Sequence, residues 1–220
     1  MDVEWGFYDR KGHVDESFRR MPHKDQAGAV TFVTMRLADS MPRHVVQKWH
    51  LEVQAWLDEH GFCGMPTDEV LLASEISSRI KRDLRRFKNQ KWHSRLDNCF
   101  GACVLRNAEA RMEVVKSFLH FNGDRYDLDR FVVMPNHVHV LIQMRDVGLR
   151  KQFRELQRYS ARKINKILGR TGQLWQGEPF DHVVRNERQF EYLRSYIIDN
   201  PKKANLSSSE FTYWCGSQRQ

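Results

Sequence analysis

Nowhere in its 220 residues does the chain run eighteen apolar residues in succession, which excludes a membrane-spanning helix. The opening stretch, MDVEWGFYDRKGH, lacks the apolar segment of a secretory signal, so a cytoplasmic location is expected. Cysteine is scarce. Cys63, Cys99, Cys103 and Cys215 form no CxxC pair and no disulfide ladder, and reduced thiols are expected. The spacing of Cys99 and Cys103 offers no second pair with which to enclose zinc. Internal repeats and low-complexity tracts are absent as well. Hydrophobic residues at 40% and charged residues at 29% leave a soluble, globular class, long enough to bury a core without covalent staples.

Positive charge is abundant. The net charge is +8, from 36 Lys and Arg against 28 Asp and Glu. Two segments hold the excess. Residues 145–203 contain 14 basic and 7 acidic residues, and residues 79–95 contain 8 basic and 1 acidic. The rest of the chain is net acidic. Basic segments on an otherwise acidic chain point to a polyanionic partner, with nucleic acid favoured over a merely solvated helix face.

Residues 1–27 read as a loose arm and residues 204–220 as a mobile tail on which Phe211 and Trp214 can dock. Between them, 29–37 alternates as a strand. A helix follows from Pro42 to about His60, stopped by Gly61. Another opens at Pro66 and carries the first basic run, with a break over 98–101, and a third covers about 105–121. Residues 126–134 and 137–144 read as a hairpin turning at Pro135-Asn136. An amphipathic helix spans Leu149 to Leu168, with Arg150, Arg154, Arg158, Arg162 and Lys166 four residues apart in one continuous stripe. A short strand at 181–186 precedes a helix from about Glu187, which the residue before Pro201 is expected to end near Asp199. The order predicts an α+β fold: a ferredoxin-like antiparallel sheet of βαββαβ order with helices on one face. The domain spans 28–203 and carries an inserted helical segment at about 62–103.

His137-Val138-His139 is the chemical signal. A period of two puts both imidazoles on one face of a strand, their Cβ atoms about 7 Å apart, within reach of one shared metal ion. Two half-exposed histidines beside a turn are the plainer alternative.

The string Val-Val-Met-Pro-Asn-His-Val-His-Val-Leu-Ile around them resembles the His-hydrophobe-His segment of single-tyrosine HUH transposases, and more narrowly the REP-associated tyrosine transposases. Gly172-Gln173-Leu174-Trp175-Gln176, Phe180 to Asn186, and Tyr196-Ile197-Ile198-Asp199-Asn200-Pro201 resemble the family's later segments in the same order. Met21-Pro22-His23 and Ala29 to Thr34 resemble its first strand and lead-in.

The resemblance implies a metal-dependent single-stranded DNA transesterase. Such an enzyme nicks and rejoins palindromic hairpin elements through a 5′-phosphotyrosine. Tyrosine, with a free pKa of about 10, is a weak nucleophile, and a divalent cation compensates by polarising the phosphoryl oxygens. The implied metal ligands are His137, His139 and Asn200, four residues after the nucleophile Tyr196. Mg²⁺ or Mn²⁺ would serve, and a His, His, Asn set suits Mn²⁺ better. Tyr159 and Tyr192 compete for the nucleophile's place, but four residues on each has a non-ligand, Lys163 and Tyr196 respectively. The stripe from Arg150 to Lys166 becomes a candidate tracker of the DNA backbone, and Trp175 and His182 candidates for base stacking. Trp175 is an equally good core residue. The inserted segment either extends the DNA surface, forms a solvated bundle or receives a partner.

Monomeric and homodimeric arrangements both fit. The competing reading is a domesticated hairpin-binding protein without turnover. A metallohydrolase with an HxHxDH ligand set is disfavoured by Leu141 and Ile142, and a relaxase by the lack of a third histidine.

Overall fold

The computed structural model describes residues 3–13, 15–18, 22–145 and 147–216. Met21, part of the expected lead-in, lies outside them. The chain divides into two compact units. One comprises Met1–Ala38 and Ala102–Gln220, the other Asp39–Gly101.

In the first unit, β1 (Asp15–Phe18) pairs with β2 (Pro22–Asp25). β3 (Val30–Arg36) enters the main sheet. In the second unit lie α1 (Arg43–Glu59), α2 (Thr67–Leu72) and α3 (Ser78–Asp97). The first unit resumes with a 3-10 turn at Val104–Arg106 and α4 (Ala108–Leu119). β4 (Tyr126–Val133), β5 (His137–Met144), α5 (Leu149–Ile167), β6 (Phe180–Val183), α6 (Glu187–Lys203) and β7 (Thr212–Cys215) follow.

The five-stranded sheet has the order β6-β3-β5-β4-β7, every pair antiparallel. Without β7, this is the strand order that a βαββαβ chain makes when both crossover helices lie on one face. α4 and α5 are those helices. Alternation sends Val33, Met35, Val138, Val140 and Ile142 to their side, where Val114, Phe118, Phe153 and Leu156 complete the larger core. The expectation of helices on one face holds for this pair only. α6 covers the opposite face, where Phe190, Leu193 and Ile197 pack on Val30, Phe32, Val132 and Leu141. A sheet with apolar residues on both faces needs a cover on each.

Three boundaries differ from the sequence reading. α6 does not stop at Asp199 but runs through Pro201 to Lys203. Proline has no N–H for the carbonyl of Ile197, yet burial of Ile197, Asn200 and Pro201 offsets that lost bond. The tail pairs as β7 with β4, and Trp214 stacks on Phe131 at 5.3 Å. The arm is not loose over its described part. Gly6 bridges to Ala29, and Trp5 and Phe7 each lie 5.7 Å from Phe190.

The second unit is wider than the expected insertion, because α1 packs with α3 around Val53, Leu57, Val70 and Leu84. The single helix expected from Pro66 is two, α2 and α3. Ser77 begins the latter by accepting the Ile80 N–H at 3.4 Å, a cap that restarts the helix after the Ala73–Ser77 break. Gly101 closes the unit at φ +92°, where a Cβ would come 2.7 Å from the Asp39 carbonyl oxygen. The two ends of the unit therefore meet, the geometry that lets a domain be inserted into a connection without reshaping its host.

Candidate functional site

β5 makes the site by alternation. With Val138, Val140 and Ile142 turned to the α4–α5 core, His137 and His139 share the α6 face with Leu141, and both are fully buried. They are not the half-exposed pair that a turn-side position would give. Each Nδ1 is held by an oxygen: Asn136 Oδ1 at 2.7 Å from His137, and Thr34 Oγ1 at 2.8 Å from His139. A neutral imidazole donating from Nδ1 carries its lone pair on Nε2, the arrangement in which outer partners orient metal-ligating histidines. The ring centroids are 4.6 Å apart, and a nitrogen of each ring lies within 4.8 Å of one on the other.

α6 brings the tyrosine. Tyr196 Oη is 3.4 Å from His139 Nε2, with ring centroids 5.2 Å apart. Phe32 sits among the rings, 5.3 Å from His139, 6.0 Å from Tyr196 and 5.4 Å from His182. Asn200 follows Tyr196 by one helical turn and is fully buried within α6. Lys203 Nζ lies 5.0 Å from the centre of the Tyr196 ring. The helix is pinned two residues before Tyr196. Arg194 donates through Nε to Asp129 Oδ2 at 3.1 Å and through a second nitrogen to Oδ1, a forked pair on a buried carboxylate. Asp129 projects where the β4–β5 register shifts between Leu128 and Arg130, so an irregularity in the sheet supplies the anchor.

The donor set suits a borderline divalent cation. Two imidazoles with oriented rings and nitrogens within 4.8 Å of each other form a group able to hold such an ion. His182, opposite Phe32 in the β3–β6 register, stands half-buried on this same face.

Other expected site residues lie elsewhere. α5 packs on the opposite face of the sheet, so Arg150, Arg154, Arg158, Arg162 and Lys166 do not join the histidines. Arg154, Arg158, Arg162 and Lys166 are exposed, and Arg150 is half-buried 4.0 Å from Glu178. Trp175 is a core residue, 4% exposed, donating from Nε1 to Ser160 Oγ at 2.9 Å, and no base can reach its face. Replacing Trp175 by Phe is expected to lower stability by about 1–3 kcal/mol through the lost bond and volume, with DNA affinity unchanged. Thermal melting beside a binding titration checks this. Tyr159 is exposed on α5 with Lys163 Nζ 5.7 Å from its ring, and Tyr192 is 67% exposed on α6. Neither is in ring contact with a histidine among the described contacts.

Sequence reasoning missed Thr34, Asn136, Phe32 and Lys203. Asn136 was visible only as a turn residue. Thr34 faces His139 through a strand register that its local sequence does not encode.

Residues 106–200 match the family described as IS200-like transposases. No curated protein matches the chain. Among solved structures, that of a REP-associated tyrosine transposase bound to a REP hairpin is similar at 15% identity and a TM-score of 0.41, over 87% of this chain and 75% of that one.

Proposed function

We propose, from the match of residues 106–200 to the family described as IS200-like transposases, that the chain is a metal-dependent DNA strand transferase that nicks and rejoins single-stranded DNA beside a hairpin, with Tyr196 as nucleophile. The observation that carries this reading is the 3.4 Å approach of the Tyr196 hydroxyl to Nε2 of His139, on the face where His137 also lies. The hairpin substrate is part of the same proposal and rests on the resemblance of the His137-Val138-His139 and Tyr196–Pro201 segments to those of REP-associated tyrosine transposases.

The phenolic oxygen of Tyr196 bonds to the scissile phosphorus, and the bond from phosphorus to the 3′ oxygen breaks. The released 3′ oxygen takes up a proton, the phenol gives one up, and a 5′-phosphotyrosine remains. Attack by a 3′-OH reverses the step and rejoins a strand, so bond energy is conserved without a nucleotide cofactor. His137, His139 and Asn200 would hold a divalent cation, which polarises the phosphoryl oxygens when bound. Asp129 and Arg194 fix the helix that carries the nucleophile, since misplacement by an ångström is costly in displacement chemistry. Lys203 supplies positive charge beside the tyrosine ring, where a phosphodiester would sit. His182, on the rim of the same face, is suited to stack on an unpaired base. Tyr196 meets His139 of its own chain, which favours a site needing no second copy.

The stripe on α5 then serves binding at a distance from the chemistry. Arg154→Ala with Arg158→Ala is expected to weaken hairpin binding and to reduce the slope of log affinity against log salt by about 1.4, at about 0.7 per lost contact to a single strand. An unchanged slope in an anisotropy titration removes the stripe from the DNA path. The proposal itself is tested on a denaturing gel, with labelled single-stranded hairpins from the flanks of the gene. A covalent, slower band that forms with Mn²⁺, disappears with EDTA and maps to Tyr196 supports it. Binding without any adduct in any metal turns the reading to a hairpin binder without turnover.

A further inference from the structure

The second unit, Asp39–Gly101, lies outside the matched transposase segment and has its own apolar clusters. Its charge is segregated. Ser78–Asp97 carries eight basic and two acidic residues, whereas the remainder of the unit is dominated by acidic ones. The eight basic residues then divide by the side of α3 they occupy. Four of them are committed inside the unit. Lys81 donates to the Ala73 carbonyl, and Lys88 lies 5.7 Å from the Trp49 ring centre. Lys91 and Arg95 meet Glu52 at 3.3 and 2.6 Å. Arg95 and Lys91 draw the Glu52 carboxyl below its ordinary pKa, chiefly through the Arg95 hydrogen bond. These groups hold α3 to its own unit.

The other four, Arg79, Arg82, Arg85 and Arg86, are all exposed. Arg79, Arg82 and Arg86 follow the i, i+3, i+7 spacing of one helical ridge, which Asn89 and Gln90 continue, both exposed, with Arg85 alongside. Asp83 meets Arg79 at 4.0 Å with both side chains largely open to water, a pair too weak to neutralise the ridge. All four outward cations are arginine and the lysines are turned inward. A guanidinium fork matches phosphate oxygens bidentately, which an ammonium does not. An exposed helix of this width fits the major groove of B-form DNA, where arginine and amide side chains reach base edges between two phosphate walls.

We propose that the outward ridge of α3 is a second nucleic-acid site, one that docks on double-stranded DNA, separate from the single-strand chemistry of the first unit. It does not rest on the transferase reading, because its residues and its substrate form are different.

The test uses the full chain and a fluorescent blunt duplex of about two helical turns, titrated by anisotropy over a range of salt. A single strand of the same length is run in parallel. Arg82→Gln with Arg86→Gln is expected to lower duplex affinity about tenfold or more at moderate salt and to reduce the salt slope by about 1.8, at about 0.9 per phosphate contact. Single-strand affinity stays within about twofold. Arg43→Gln with Lys48→Gln, two exposed cations on α1 of the same unit, leaves both affinities unchanged and controls for net charge. The substituted side chains are exposed, and an unchanged melting temperature verifies the fold. Unchanged duplex affinity and slope overturn the proposal, as does an equal loss for duplex and single strand, which would reduce the ridge to diffuse attraction. Failure of the covalent adduct assay leaves this result standing, and the reverse holds too.

Discussion

Tyr196→Phe leaves the protein folded and able to hold hairpin DNA, but abolishes its covalent attachment to the strand. The substitution removes one oxygen. The ring keeps its packing with Phe32 and its position under Lys203. The lost contact to His139 is long, at 3.4 Å, so stability changes by less than about 1 kcal/mol. On the proposed mechanism the reaction loses its nucleophile, and adduct formation falls on the order of 10⁴-fold or more. A denaturing gel for the adduct and a native gel for binding read the two effects separately. Joint loss of binding and adduct would mean that Tyr196 is a core residue of α6 and that the nucleophile lies elsewhere. Tyr159→Phe and Tyr192→Phe in the same assay should both keep the adduct, because neither ring approaches the histidines.

The histidine pair gives the second large effect. His137→Gln retains a polar side chain in a fully buried position, whereas alanine would leave Asn136 facing a cavity and confuse chemistry with folding. With glutamine, adduct formation at low Mn²⁺ is expected to fall about 10²-fold or more, since one of the two imidazole ligands is lost. Raising Mn²⁺ should recover part of the rate, a response that a purely structural defect would not give. EDTA should abolish the wild-type reaction and excess Mn²⁺ restore it. An adduct indifferent to chelation, or a glutamine variant with wild-type rates at every Mn²⁺ concentration, would remove the metal from the mechanism.

These two expectations draw on different kinds of information. The alternation of β5 told which residues share a face with His137 and His139, because the two-residue period of a strand is a local property of the backbone. The i, i+4 relation of Tyr196 and Asn200 was legible for the same reason, being a property of one helix. The strand and helix order was enough to anticipate the antiparallel sheet. The basic stripe on α5 was also correct as a stripe.

The side of the sheet was not legible. A period says that residues 137 and 139 point together, not whether they point to α5 or to α6. That choice follows from which helix covers which face, and it separates the α5 arginines from the histidines. Trp175 illustrates the same limit. Its sequence neighbourhood suits a base-stacking platform as well as a core, and only the hydrogen bond to Ser160, fifteen residues away, makes it a core residue. The continuation of α6 through Pro201 is a case of burial overriding local preference, since the sheet rewards the extra turn more than proline penalises it.

By itself, then, the sequence determined the strands and helices of the central domain, which side chains share a face within each, and the charge of each helix, all local properties of the chain, but not β1, β2, β7 or the break between α2 and α3. The tertiary structure alone decided that Thr34 stands opposite His139 across 105 residues. It also decided that Asp129 pins Arg194 across 65, and that Tyr196 reaches His139 across 57. Those pairings depend on strand register and helix docking, which arise only when distant segments bury their apolar faces against one another.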